Sequence, residues 1–206
     1  MQFIQMIIRV INRIGIWLDR LRSQPLRWAL KDCGRNVVLK RGIKITHPAS
    51  VSVGDNSYLS EFCWISMLSV NRQNNSPDVA LKPTVVIGDN CYIGRFAMFA
   101  CMDEIRLGND VMISDRVYIG DCNHGYSNRE LPIKDQYMFS PGPVSIGDGS
   151  WLGINVAVMP NVSIGKGCVI GANSVVTRDV PDYHIAAGAP ARVIKAVDER
   201  GGIKPQ

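Results

Sequence analysis

Residues 164–176 read Ile164-Gly-Lys-Gly-Cys-Val-Ile170-Gly-Ala-Asn-Ser-Val-Val176, an aliphatic residue at every sixth position. The interval returns on moving back along the chain. Ile146, Leu152 and Val158 precede this stretch, then Leu107, Ile113 and Ile119, then Ile87, Ile93 and Phe99, then Val53, Leu59 and Ile65. A fixed short period marks a solenoid, in which each such residue points inward and stacks on its equivalents in neighbouring coils. Gly, Asp and Asn follow the aliphatic residues at corners, where positive φ or a side-chain-to-backbone hydrogen bond is needed. Short strands separated by such corners predict a parallel β-helix with three flat sides. The general rule for parallel crossovers predicts a right-handed coil. Residues near Ile43, Ile45 and Val51 supply an irregular first coil.

The period breaks in three places. A minor corner insertion lies around Asp103 and Glu104. Residues 70–84 are polar and read as an exposed loop. Residues 122–143 form the long insertion and hold His124, Tyr126, Arg129, Tyr137 and Phe139. Long loops on a rigid scaffold are the usual carriers of function. The expected organisation is an amphipathic helical lead-in over 1–42, the β-helix over 43–180 and a C-terminal segment over 181–206. Within the last, Arg192 to about Glu199 is expected to form a short helix.

At 206 residues with 46% hydrophobic content, the chain has room for one domain with a sizeable core. The net charge of +5 gives a weak preference for anionic partners. Nucleic acid is disfavoured, because no basic stripe is interleaved with aromatics. The six cysteines are scattered without paired spacing; Cys91 and Cys168 occupy slots of small buried hydrophobes. That usage points to a reducing, cytoplasmic compartment. The three histidines (47, 124 and 184) are too few and too scattered for a three-histidine zinc centre, so no metal is expected.

Residues 1–22 place Phe3, Ile4, Ile7, Ile8, Ile11, Ile14, Leu18 and Leu21 at helical spacing, with arginines on much of the other face. The apolar run is too short to cross a bilayer, and no cleavage site for a signal peptide follows it. Two readings stand: a helix packed on the solenoid or a neighbouring subunit, and a basic amphipathic helix on the inner membrane surface. Pro25 is expected to end or kink it.

The stretches Pro143-Val-Ser-Ile-Gly-Asp-Gly-Ser-Trp-Leu-Gly153, Ile164 to Pro181 and Ala187-Gly-Ala-Pro-Ala-Arg-Val-Ile-Lys195 resemble the hexapeptide-repeat acyltransferases. Over roughly residues 45–197 the chain is most similar to galactoside, maltose and bacterial surface-polysaccharide O-acetyltransferases, and Asn123-His124-Gly125-Tyr126 favours the polysaccharide branch. The resemblance implies a left-handed parallel β-helix, a homotrimer, acetyl-CoA as donor and a sugar hydroxyl as acceptor. His124 matches the family's general base, and a neutral imidazole suits removal of a hydroxyl proton at physiological pH. Trp151 matches a tryptophan lining the active-site tunnel, and Ile154 the oxyanion-stabilising backbone amide. Gly153, Gly171 and Ala172 match positions along the pantetheine arm. Thr177, Arg178, Arg192 and Lys195 match positions at the nucleotide end, where phosphates need fixed cations. Asp121, Asn123 and Tyr126 flank the histidine and are candidates for acceptor binding. The alternatives are N-acetylation of a nucleotide-linked amino sugar and a non-enzymatic β-helix scaffold.

Overall fold

The structure is a computed structural model, and it describes residues 2–68, 70–71 and 79–197. Six coils follow an N-terminal helix. The first comprises Asp32–Cys33, Val38–Leu39 and Lys44–Ile45; the second Val51–Val53, Tyr58–Leu59 and Trp64–Met67. The third comprises Thr84–Ile87, Tyr92–Ile93 and Met98–Cys101; the fourth Glu104–Leu107, Met112–Ile113 and Tyr118–Gly120. The fifth comprises Val144–Ile146, Trp151–Leu152 and Ala157–Val158; the sixth Ser163–Ile164, Val169–Ile170 and Val175–Val176. The first strands of all coils form one parallel sheet, here face A, and the second and third strands form faces B and C. Register is strict. On face B, Leu39, Leu59, Ile93, Ile113, Leu152 and Ile170 stand in one ladder.

This ladder and its two counterparts are the core. Leu59, Ile65, Ile93, Ile113, Ile119, Leu152 and Val158 are all 0% exposed. Removing such a side chain from water stabilises by about 1.5–3 kcal/mol, so a two-residue strand suffices when each coil adds three inward residues.

The edge between faces A and B shows why Gly, Asp and Asn stand at corners. Asn36, Asn56 and Asn90 adopt φ of 56°, 57° and 55°, the left-handed region that Asn tolerates better than most residues. The Asp55 and Asp89 carboxylates accept the amides of Arg35 and Asp55 in the coil before (2.8 and 2.7 Å). Asn109 and Asp148 continue the series, accepting from Asp89 (2.9 Å) and Asn109 (2.7 Å). Gly54 leaves room for the next coil, since a Cβ there would lie 2.6 Å from the Gly88 carbonyl carbon.

Several expectations are corrected. The solenoid begins at Asp32, and its first coil is Cys33, Leu39 and Ile45; Val51 opens the second. The six-residue interval is already present there, but Cys33 occupies an aliphatic slot and hides it. The helix spans Gln2–Ala29 and runs on past Pro25. The expected C-terminal helix is a strand, Ala191–Ala196, paired antiparallel with His184–Gly188 on face B. His184–Gly188 pairs in parallel with Val169–Ile170 of the sixth coil, and Ala191–Ala196 covers the edge that this added strand would leave open. The remainder of that expected helix, 198–199, lies outside the described residues. In the 70–84 insertion, Val70–Asn71 pairs antiparallel with Val79–Ala80, and Thr84 already belongs to face A. The rest of that loop, 72–78, also lies outside the described residues.

Candidate functional site

Both large insertions leave the solenoid at the same edge, where face C turns into face A: 68–83 after the second coil and 121–143 after the fourth. Between them the third coil turns tightly through Met102 and Asp103. The longer insertion is an ordered hairpin. Asn123–His124 pairs antiparallel with Met138–Phe139, and the Gly125 amide donates to the Tyr137 carbonyl at 2.7 Å. The Gln136 side chain ties the tip together, donating to the carbonyls of Asn128 (2.8 Å) and Leu131 (3.0 Å). The Tyr137 and Phe139 rings meet edge-on with centroids 6.4 Å apart. His124 is exposed on this support, and its ring makes no hydrogen bond among the described residues. Asn123 is half-buried beside it and Tyr126 is 71% exposed.

Asp121 is a different kind of residue from its neighbours. It is fully buried, and its carboxylate accepts the amides of Met102 (2.7 Å) and Asp103 (2.8 Å). Burial pushes its carboxyl above the ordinary carboxylate value, and the two amide bonds only partly oppose that. It clamps the tight turn of the preceding coil and presents nothing to an acceptor, which corrects its assignment to acceptor binding. Burial first, and Asp121 second, push the adjacent Cys122 thiol up to about 11. That thiol is protonated at neutral pH, so it is no ready nucleophile next to His124.

Trp151 stands on the outside of face B, in register with Met112 before it and Val169 after it. Its indole N–H donates to the Ser114 hydroxyl at 3.1 Å, leaving the ring 44% exposed. Gly153 and Ile154 form the following corner, between faces B and C, with Gly171 and Ala172 directly beyond in the sixth coil. A Cβ on Gly153 would meet the Ala172 amide nitrogen at 2.7 Å, and one on Gly171 would meet the Ala187 Cβ at 2.8 Å. Coil stacking by itself therefore demands small residues here. The Ile154 amide donates to no group among the described residues, while its carbonyl accepts from Asn173 at 2.9 Å. An uncommitted N–H next to an exposed indole can bind developing negative charge.

Thr177 and Arg178 are exposed on the C-to-A edge at the end of the sixth coil. Arg192 and Lys195 are exposed on the antiparallel C-terminal strand, opposite Ala187 and Ile185. The candidate residues thus fall into separate groups on one prism. His124 shares an edge with Thr177 and Arg178; Trp151, Gly153, Ile154, Gly171 and Ala172 lie on face B and its edge with face C. Face C separates His124 from the second group.

Sequence reading missed the surface that carries the second group. Phe62 and Phe96 stack at 5.2 Å along the B-to-C edge, and Tyr58 and Tyr92 stack at 5.5 Å on face B. Tyr58, Tyr92, Met112 and Trp151 stand in one register column on the outside of face B, and the last three are exposed. The signal was available in the residue just before each face-B aliphatic, but the spacing between coils varies with the insertions. No group of three or more His, Cys, Asp or Glu side chains converges as for a metal ion among the described residues.

Residues 143–178 match the family described as bacterial transferase hexapeptide (six repeats). A putative lipopolysaccharide biosynthesis O-acetyl transferase, WbbJ of Escherichia coli K12, is 35% identical over 120 residues, covering 55% of this chain and 61% of that protein. The maltose O-acetyltransferase of Clostridium difficile 630 superposes with TM-score 0.56 and 26% identity over 86% of this chain and 75% of that one. A mutant form of AntD, an N-acyltransferase from Bacillus cereus in complex with dTDP and coenzyme A, superposes with TM-score 0.71 and 23% identity over 86% and 90%. The last likeness is one of fold. The chain spans only 36–61% of the length of the curated relatives it matches first. The coil is the left-handed β-helix of these transferases, opposite to the general expectation for parallel crossovers. Each turn of the coil is such a crossover between parallel neighbours of one sheet, but coil strands of two to four residues carry little of the strand twist that sets the usual hand.

Proposed function

We propose that this hexapeptide-repeat chain transfers an acetyl group from acetyl-CoA to a sugar hydroxyl, with a bacterial surface polysaccharide or its precursor as acceptor. The observation that carries the reading is His124, an exposed imidazole with no hydrogen bond among the described residues, held by a hairpin on a hexapeptide-repeat solenoid. The similarity to WbbJ and to a maltose O-acetyltransferase supports a sugar as acceptor.

In the proposed step the acceptor hydroxyl gives its proton to the neutral His124 ring as its oxygen attacks the thioester carbonyl. The Ile154 amide stabilises the oxyanion, and Trp151 walls the site. Collapse of the tetrahedral adduct breaks the carbon–sulfur bond, and the coenzyme A thiolate leaves, taking back the proton held by His124. Gly153, Gly171 and Ala172 leave room for the pantetheine arm along the B-to-C edge. Thr177, Arg178, Arg192 and Lys195 supply a hydroxyl and cations for the phosphates. Asn123 and Tyr126 are the acceptor contacts on the hairpin.

The working unit in this reading is a homotrimer. His124 and the Trp151–Ile154 group lie on different edges of one prism, so a neighbouring copy must complete each site. The exposed column of Tyr92, Met112 and Trp151 on face B is part of the surface such a copy would cover. The compartment proposed is the cytoplasm, on the ground of free, unpaired cysteines; separately, among the described residues no helix is long and apolar enough to cross a membrane.

A second reading, N-acetylation of a nucleotide-linked amino sugar, is favoured by the fold likeness to AntD, and the same base and donor groove serve it. Incubation with acetyl-CoA and matched hydroxyl and amino sugars, followed by thiol release, tests both. Hydroxyl-dependent release is the expected result. Release with amino sugars alone selects the second reading, and no release above the acceptor-free rate refutes both.

A further inference from the structure

We infer that the N-terminal helix docks the protein on an anionic lipid bilayer through a stripe formed by Ile14, Trp17, Leu21 and Trp28. The helix Gln2–Ala29 seats one side of its second half on the first coil. The Asp19 carboxylate accepts from the Lys40 ammonium at 2.6 Å, Ser23 is buried, and Leu26 packs against the core. The Arg27 guanidinium donates to the carbonyls of Val37 and Gly34. These contacts fix which side of the helix faces outward.

The outward side is apolar. Ile14, Trp17, Leu21 and Trp28 follow one another at intervals of three, four and seven residues, so they share one helix face. They are 51%, 60%, 51% and 81% exposed. The two tryptophans lie about 16 Å apart along the axis, at ~1.5 Å per residue. Indole rings favour the boundary between headgroups and acyl chains. Because the helix runs on past Pro25, Trp28 joins this face, and the docking surface extends beyond residue 22.

Charge selects the occupant. The helix carries five arginines and one aspartate, and that aspartate is already held by Lys40. Arg22 is exposed on the same helix, so the helix as a whole carries a strong positive excess. An apolar stripe on a positively charged helix repels its own copy but complements lipid phosphates. With no segment suited to crossing among the described residues, the helix lies in the plane of the surface.

This inference stands apart from the transferase reading, because vesicle binding needs neither donor nor acceptor. The test is co-flotation of the full chain with phosphatidylcholine vesicles, with and without phosphatidylglycerol, for the parent and for Trp17→Ser with Trp28→Ser. The parent is expected to float with the anionic vesicles and to be released by high salt. The double variant should bind at least about tenfold more weakly, with an unchanged β-sheet circular dichroism spectrum and unchanged oligomeric mass. Equal flotation of parent and variant, equal binding to neutral vesicles, or a variant that loses oligomeric mass instead of lipid binding would each overturn the proposal.

Discussion

The A-to-B and C-to-A edges of this prism are built from the same repeat but treat it differently. Along the A-to-B edge each of the first five coils turns in the same number of residues. From the second to the fifth coil, a carboxylate or amide side chain accepts the backbone N–H of the coil before. Along the C-to-A edge the turn is tight after the third coil but opens into long insertions after the second and fourth. Where the ladder is continuous, each corner is bound to its neighbours and little can be added without breaking them. Where it is interrupted, a hairpin can grow outward at small cost to the core, since loop closure depends only weakly on length. The continuous edge supports the fold, and the interrupted edge is free to carry chemistry.

The comparison breaks most sharply in the shared core. Ile119, wholly buried on the strand that feeds the hairpin, should cost about 2–5 kcal/mol when replaced by alanine. Denaturant titration should show that loss whichever edge is nearby. On the interrupted edge, His124→Ala should lower turnover by about 10²-fold or more while leaving coenzyme A affinity and melting temperature unchanged. Near-normal turnover would remove the base from the hairpin. Arg178→Ala, on the same edge, should raise the KM for acetyl-CoA by about tenfold, as for one lost charge-assisted bond. On the continuous edge, Asp89→Ala removes the acceptor for the Asp55 amide and should cost about 1 kcal/mol, with turnover unaffected.

Asp121 sharpens the comparison through pH. Its folded-state carboxyl is raised by burial, so the native chain holds the proton more tightly than the unfolded chain. Its contribution to stability is fully present below the unfolded carboxylate value, near ~3.9. That contribution is lost as pH rises through the raised folded value. Parent and Asp121→Asn should therefore differ in how melting temperature changes with pH across that window. Parallel curves would mean that the buried group titrates as an ordinary carboxylate.

The six-residue interval made the coils from Val53 to Val176 legible, because three inward residues per coil leave a periodic trace. It failed at the first coil, where Cys33 fills an aliphatic slot, and at the C-terminus. There the stretch from Arg192 to about Glu199 reads as a short helix until the edge of face B is in view. The hairpin under His124 was readable only as an insertion, since its pairing depends on Gly125 and Gln136 meeting residues far along the loop. Asp121 was misjudged because adjacency to His124 in sequence says nothing about side-chain direction. The aromatic stripe was hidden by the unequal spacing between coils.

The antiparallel strand Ala191–Ala196 reverses the chain across face B just where a further coil would otherwise stack. At the opposite pole Leu26 of the N-terminal helix and Leu30, just past its end, meet the core. A coil with identical ends is a template for unlimited end-to-end growth, since each open strand edge recruits another. These two dissimilar lids give the molecule a finite length and guard it against fibre formation. Deleting the strand should therefore show itself first as concentration-dependent aggregation.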